Sequence, residues 1–444
     1  MKSKSISVKH NYAKLFSAFS LTFLGDGLTL AAVPWLVSTL TTDTLYASIT
    51  MTALRLPWLI FSLPVGVLID RYSRKHMLVG ASFTRMLFLL ILTICIWGGW
   101  ISIPLLALFM FGIGLSRVVF DSTVQTIIPQ IVEEKNLEKA NGQFTAGQLI
   151  TSDILRVAFG GVIITLHIVY PFAIDTVTAV LSLLLIMGLR GSFLPAKPAA
   201  SQDQEPSAED SKQTTQEESE QEAPPMHNWK REMWSGIQYV FQDRFLRGLA
   251  ILSVTLTLMF SMILVTQIFF VREVLQLEAY AFGVLISIAT IGSILGSQAV
   301  AHMRTRWSAK QLILLSILSM GLIYGAVGLT SNAYLVGGLY FCAAFFIVVY
   351  NVTRSSILQR SVPNELLGRV GSVFRFLSFG ISAIGTLLGG LLVRVSETFF
   401  DRSFSLQLPY LLLSAVYIVA CFLFASKMRN VSDLPEKQQQ HSSM

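Results

Sequence analysis

The chain has 444 residues, of which 53% are hydrophobic and only 13% charged, and its mean hydropathy is +0.62. That balance excludes an ordinary soluble domain and points to a protein that crosses a bilayer many times. The formal net charge of +7 then reports where bases sit relative to the membrane, and no nucleic-acid partner is expected.

An apolar helix of about 20 residues crosses the hydrocarbon, and twelve runs meet that length. They fall near 14–39, 45–69, 77–97, 103–127, 141–166, 170–190, 246–270, 280–302, 310–330, 333–356, 368–393 and 405–426. Sorting the 33 Lys and Arg by the implied loops puts 25 on one face and three (Arg272, Arg394, Arg402) on the other. The remaining five, Arg55, Arg85, Arg117, Arg156 and Arg375, lie within spans. The positive face is the cytosolic one, so both termini are expected in the cytosol of a multi-pass cell-membrane protein.

Between spans two and three the stretch Gly66 to Lys75 reads GVLIDRYSRK. It places Asp70 at the edge of the hydrocarbon, followed by the bases Arg71, Arg74 and Lys75, more than a plain basic loop requires. From Leu194 to Asn228 the composition turns to Gln, Glu, Ser, Pro and Thr. Such a stretch buries no core and is expected to be a solvated acidic tether. Residues 229–245 then place Trp234, Ile237 and Phe241 at helical spacing among bases, the pattern of an interfacial amphipathic helix. The predicted organisation is a six-helix bundle over 1–193, a linker over 194–228, the interfacial helix over 229–245, a second six-helix bundle over 246–428 and a tail over 429–444. The halves echo each other: Gln125 precedes Pro129, and Gln359 precedes Pro363, by the same four residues.

Three cysteines (Cys95, Cys342, Cys421) lie in apolar runs, and the six histidines near helix ends or in tails. No metal site, disulfide framework or other cofactor is expected from them. No phosphate-binding glycine loop is present either, which argues against an ATP-driven pump and against an enzyme of that kind.

The loop pattern G-x-L-x-D-R-x-G-R-K belongs to the major facilitator superfamily, and this chain resembles it at Gly66, Leu68, Asp70, Arg71, Arg74 and Lys75, with Ser73 in place of the glycine. The resemblance extends from about Tyr12 to Met428 and implies an all-α membrane fold of twelve helices in two pseudo-symmetric bundles, acting as a monomer. Within that superfamily, Leu24-Gly25-Asp26, Ile174-Asp175 and Gly368-Arg369-Val370 resemble the branch of macrolide efflux pumps and the enterobactin exporter. Two antiporter motifs depart from pattern, since Gly160 and Gly161 follow Ser152, Arg156 and Val157, and Arg117 is followed by Val118-Val119-Phe120-Asp121. The family's gate implies that Asp70 closes the cytosolic side against the start of span eleven near Gly368.

A charge at the bilayer centre costs about 2.5–3.5 kcal/mol even on a lenient scale. Counting about 1.5 Å per residue puts Asp26, Arg117 and Asp153 near 18 Å deep and Arg55 and Arg156 near 22 Å. Asp121 lies one turn from Arg117 and is its expected static partner. Proton coupling is therefore expected at Asp26, with Asp153 and Asp121 as further acids. Substrate contact is expected at Arg55, Arg117, Asp153, Arg156, Gln267, Tyr350 and Asn351. The alternative for the charges is a set of static pairs fixing helix register. Arg85 and Asp175 are expected to snorkel or cap near a face, and the pairs Gly292/Gly296 and Gly385/Gly389 to pack helices.

These readings converge on a proton-coupled antiporter exporting a small organic compound, its partners being that compound, protons and the lipid bilayer. Alternatives are a carrier for a charged amphiphile, a lysophospholipid or a metallophore, or a non-transporting scaffold or sensor, which would have little reason to keep the buried charges.

Overall fold

A computed structural model describes residues 2–132, 163–191, 237–362 and 364–427, with isolated positions at 140, 143–144, 147, 151 and 193. Among them the regular structure is helical throughout. The helices are α1 (Lys2–Leu40), α2 (Thr44–Arg71), α3 (Arg74–Trp97), α4 (Ile103–Ile131), α5 (Val169–Met187) and α6 (Arg244–Phe269), the last continued by a π-helical turn (Phe270–Val274). Beyond it follow α7 (Ala279–Arg306), α8 (Ala309–Gly328), α9 (Ala333–Ser361), α10 (Asn364–Ser396) and α11 (Arg402–Lys427). Ten described helices are long and apolar enough to cross a membrane. Sequence span five falls largely outside the described residues, so α5 to α11 correspond to spans six to twelve.

Several helices begin where the sequence offers a cap. Asp43 accepts a bond from Leu45 N at the start of α2, and Asp243 from Leu246 N at the start of α6. Ser308 and Gln311 form a reciprocal capping box on α8, and Asn332 caps α9. The helices overrun the apolar runs by several residues because a run measures only the hydrocarbon, while the helix continues into the interface.

The packing repeats between the halves. In the first half α1 packs on α5, α2 on α4, and α3 on both α4 and α5. In the second half α6 packs on α11, α7 on α9, and α8 on both α9 and α11. Renumbered as spans, these are the same four pairings shifted by six. Glycines permit the closest approaches: a Cβ on Gly292 or Gly296 would strike the α9 backbone at Phe341 or Phe345, and one on Gly385 or Gly389 the α6 backbone at Leu258 or Met262.

The start of α1 and the end of α11 lie at one face, here the terminal face; residues 40–44, 270–279 and 396–402 lie at the other, the loop face. The halves meet chiefly where α2 packs on α10. At the loop face Arg394 pairs with Asp43, Arg402 donates to Thr42 O, and Arg272 donates to Ser38 O. Further in, Thr44 Oγ1 donates to Gly390 O (3.2 Å), Thr52 Oγ1 to Ala383 O (3.3 Å), and Trp58 stacks on Phe379 with centroids 4.7 Å apart. The loop face is therefore sealed. Residues 237–242 form a short helix before α6. Its buried contact is Val240, which packs with Leu246, Val370 and Phe374, while Phe241 stays exposed; Trp234 lies outside the described residues.

Candidate functional site

Among the described residues of the first half, Asp26, Arg85, Arg117, Asp121 and Asp175 form one connected set. Asp26 on α1 lies between two guanidinium groups: its Oδ1 accepts from Arg85 Nη2 of α3 at 2.9 Å, and its Oδ2 lies 2.9 Å from Arg117 Nη1 of α4. The second contact is ionic only, because its angle does not make it a hydrogen bond. Arg85 Nη2 also donates to Asp175 Oδ1 of α5 at 2.6 Å, and Arg117 Nε lies 3.5 Å from Asp121 Oδ2. Asp175 is fully buried, with Thr29 Oγ1 donating to its Oδ2 at 2.6 Å. Arg117 also covers the Phe23 ring at 4.9 Å.

This arrangement explains the local sequence. A Cβ at position 25 would collide with Asp175 Oδ1 and Thr178 Oγ1, so Gly25 lets α1 approach α5 closely enough for Asp26 and Asp175 to share Arg85. Among the described residues three carboxylates face two guanidiniums, so these five groups carry one negative charge in excess when all are ionised. Asp26 is the carboxylate held by both bases. Neutralising it leaves two matched pairs, Arg85 with Asp175 and Arg117 with Asp121.

A separate cavity of about 370 Å³ lies between the halves, lined by residues of α1, α2 and α6 to α9. Its polar lining is Arg55, Gln267, Thr290, Ser293, Tyr324 and Tyr340, and the rest is mostly aliphatic and Phe side chains. Arg55 Nη1 reaches across to Thr386 Oγ1 of α10 at 2.8 Å. Tyr340 and Tyr410 share a hydroxyl bond of 3.0 Å behind the cavity wall.

Of the residues singled out from sequence, Arg55 and Gln267 line this cavity, whereas Asp26, Arg117 and Asp121 join the ion network. Tyr350 is buried against Ser253 Oγ at 3.3 Å and Asn351 is exposed; neither lines the cavity. Asp153 and Arg156 lie outside the described residues. In the loop, Gly66 and Arg71 are exposed, Arg74 Nη1 donates to Thr126 O at 2.9 Å, and Lys75 Nζ donates to Leu189 O at 2.6 Å. The Asp70 side chain is outside the described residues. Helix α10 begins at Asn364, so its free amides lie at 364–366 and Gly368 is one turn inside the helix.

Arg85 and Asp175 correct the snorkelling expectation, for they are 4% and 0% exposed. Helix α3 starts three residues before the apolar run suggests, which sets Arg85 about 16 Å from the helix start. The available signal was that each is a lone charge in its own span with no opposite charge one turn away. Two such charges need each other.

Two bundles of repeated topology, a buried ion network in one and a cavity between them define a membrane transport protein. The family model described as Major Facilitator Superfamily matches residues 15–386, and the chain belongs to that family. A Bacillus subtilis (strain 168) protein described as an uncharacterized MFS-type transporter, YceJ, is 21% identical over 359 residues, covering 79% of this chain and 80% of that one. Among solved structures, a bacterial homolog of the human lysosomal transporter Spinster, inward-facing and unoccupied, aligns with a TM-score of 0.71 at 13% identity over 94% of this chain and 96% of that one. A bacterial homologue of the iron transporter ferroportin, inward-facing, gives 0.70 at 13% identity over 94% and 98%. The nucleoside transporter NupG gives 0.67 at 15% identity over 94% and 99%. At these identities the structural likeness concerns the fold.

Proposed function

We propose that this transporter is a proton-coupled antiporter that exports a small organic compound by alternating access, with Asp26 as the proton site. The observation that carries this reading is Asp26 held between two guanidiniums, the one carboxylate in excess among the described residues of the set. A proton on Asp26 brings the set to neutrality and releases α1 from both α3 and α4, which links protonation to a helix movement. The cavity between the halves is the substrate site, and the sealed loop face supports a state open toward the terminal face. Asp153 with Arg156 remains the proposed second contact for a polar substrate, and Asp121 the proposed reserve acid on Arg117.

The excess of bases at the terminal face supports placing that face in the cytosol of a cell membrane, with both termini and the linker inside. The contact among Gly25, Asp26 and Asp175 supports the placement in the efflux branch, because two of the residues that carry that resemblance, Asp26 and Asp175, meet on one guanidinium.

In everted vesicles, Asp26→Asn is expected to abolish substrate movement driven by a proton gradient while leaving substrate binding measurable, and Asp153→Asn to weaken binding itself. Full gradient-driven transport by Asp26→Asn would return the buried charges to the role of static pairs.

A further inference from the structure

We infer that Arg55 is a substrate-sensing latch: the cavity takes an amphiphile bearing one anionic group, and that group competes with Thr386 for the Arg55 guanidinium. The inference rests on the cavity being the transport site.

The cavity is electrostatically one-sided. Among its described lining residues Arg55 is the one charged group, and none is a carboxylate. Among the described residues Arg55 also makes no ion pair, in contrast to Arg85 and Arg117 in the network described above. Counting from Thr44, Arg55 sits about 16 Å from the loop-face end of α2, near the bilayer middle. A guanidinium there is stabilised by an anion more than by a neutral hydroxyl, and it can hold a carboxylate or phosphate through two parallel N–H bonds. The walls beside it, including Phe260, Leu264, Phe282, Ile286 and Ile347, suit an apolar tail. A cationic compound would meet Arg55 with no acid among the described lining residues to offset the repulsion.

The hydrogen bond Arg55 now makes crosses between the halves. Thr386 is fully buried on α10, and its bond to Arg55 lies in the same stretch of the seal as Thr52 with Ala383 and Trp58 with Phe379. An anion that takes the guanidinium removes one tie between α2 and α10, so occupancy weakens the loop-face seal. By reciprocity, removing Thr386 as the competing acceptor strengthens anion binding.

The test uses the full chain in lipid nanodiscs and four probes of equal tail: laurate, lauryl phosphate, lauryl alcohol and lauryltrimethylammonium. Calorimetry is expected to show the anions binding roughly 10- to 100-fold more tightly than the alcohol. Arg55→Gln erases that preference, Thr386→Val tightens anion binding, and Ala289→Trp, which fills the cavity, removes specific binding. Should Arg55→Gln fail to fold, Arg55→Lys decides, with the preference for anions surviving at reduced affinity. The two anions' relative affinity tells a carboxylate site from a phosphate site, and either supports the inference. Equal binding of all four probes, or anion binding indifferent to Arg55, overturns the anion preference. Unchanged or weakened anion binding in Thr386→Val overturns the latch. In each of those cases the transport reading stands, since it is decided by gradient-driven flux in Asp26→Asn, which leaves Arg55 untouched.

Discussion

At the residue scale, Arg85 holds two carboxylates on a single nitrogen, in a place 4% exposed. Removing one partner of a buried charge set costs about 3–5 kcal/mol, because the remaining charges lose their compensation without regaining water. Arg85→Gln is therefore expected to destabilise the purified protein by that order, measured by denaturant unfolding in detergent. Adding Asp26→Asn to it should restore much of the loss. Lys75→Gln, whose amine bonds one carbonyl near the terminal face, should cost about 1 kcal/mol or less. An Arg85→Gln loss no larger than that of Lys75→Gln would mean the set is not ionised as drawn. Asp26, Arg117 and Asp121 were legible from sequence because depth counting and one-turn spacing brought them to one level. Arg85 with Asp175 was not, since the contact joins spans three and six, and no local spacing encodes it.

At the element scale, helix existence was legible because apolar runs of bilayer length have few other uses. Helix ends were less so, since caps such as Asp43 and Asp243 lie beyond the apolar residues that mark a run. The start of α10 at Asn364 shows the consequence: the amides left free at that helix start lie at 364–366, ahead of Gly368. Small-residue spacing was legible as packing, and Gly292, Gly296, Gly385 and Gly389 each sit against a neighbouring helix backbone. The helix ends on either side of residues 194–228 both lie on the terminal face, because Asn11 of α1 bonds Arg190 just after α5 and α6 runs from Arg244 toward the loop-face residue Arg272. With the bases counted on that face, a cysteine introduced as Ser207→Cys is expected to escape an impermeant thiol reagent in intact cells and to react once the membrane is opened. Labelling in intact cells would invert the proposed topology.

At the scale of the whole molecule, the doubled unit was legible in the repeat of Gln and Pro and appears in the structure as four packing pairs shifted by six spans. The cavity was only partly legible. Arg55 and Gln267 are polar intrusions in apolar runs, while the seal that closes the cavity toward the loop face depends on cross-half bonds such as Thr44 to Gly390. Among the described residues the two halves carry unequal chemistry: the ion network lies in the first, and the second supplies the hydroxyl and aromatic wall of Tyr324 and Tyr340. In the proposed mechanism, protonation in one half reaches the seal through α1 and α2.

That coupling is the central claim, and distance measurements by pulsed electron paramagnetic resonance test it without knowledge of the substrate. One pair of spin labels spans the loop face, at Thr42→Cys and Thr398→Cys, and another the terminal face, at His76→Cys and His302→Cys, all at exposed positions and with Cys95, Cys342 and Cys421 replaced by Ala. The account predicts two populations whose loop-face and terminal-face distances change in opposite senses between mildly alkaline and mildly acidic buffer, and a distribution that no longer responds to pH once Asp26→Asn is introduced. Distances that ignore pH in the parent protein, or a pH response that survives Asp26→Asn, would contradict it.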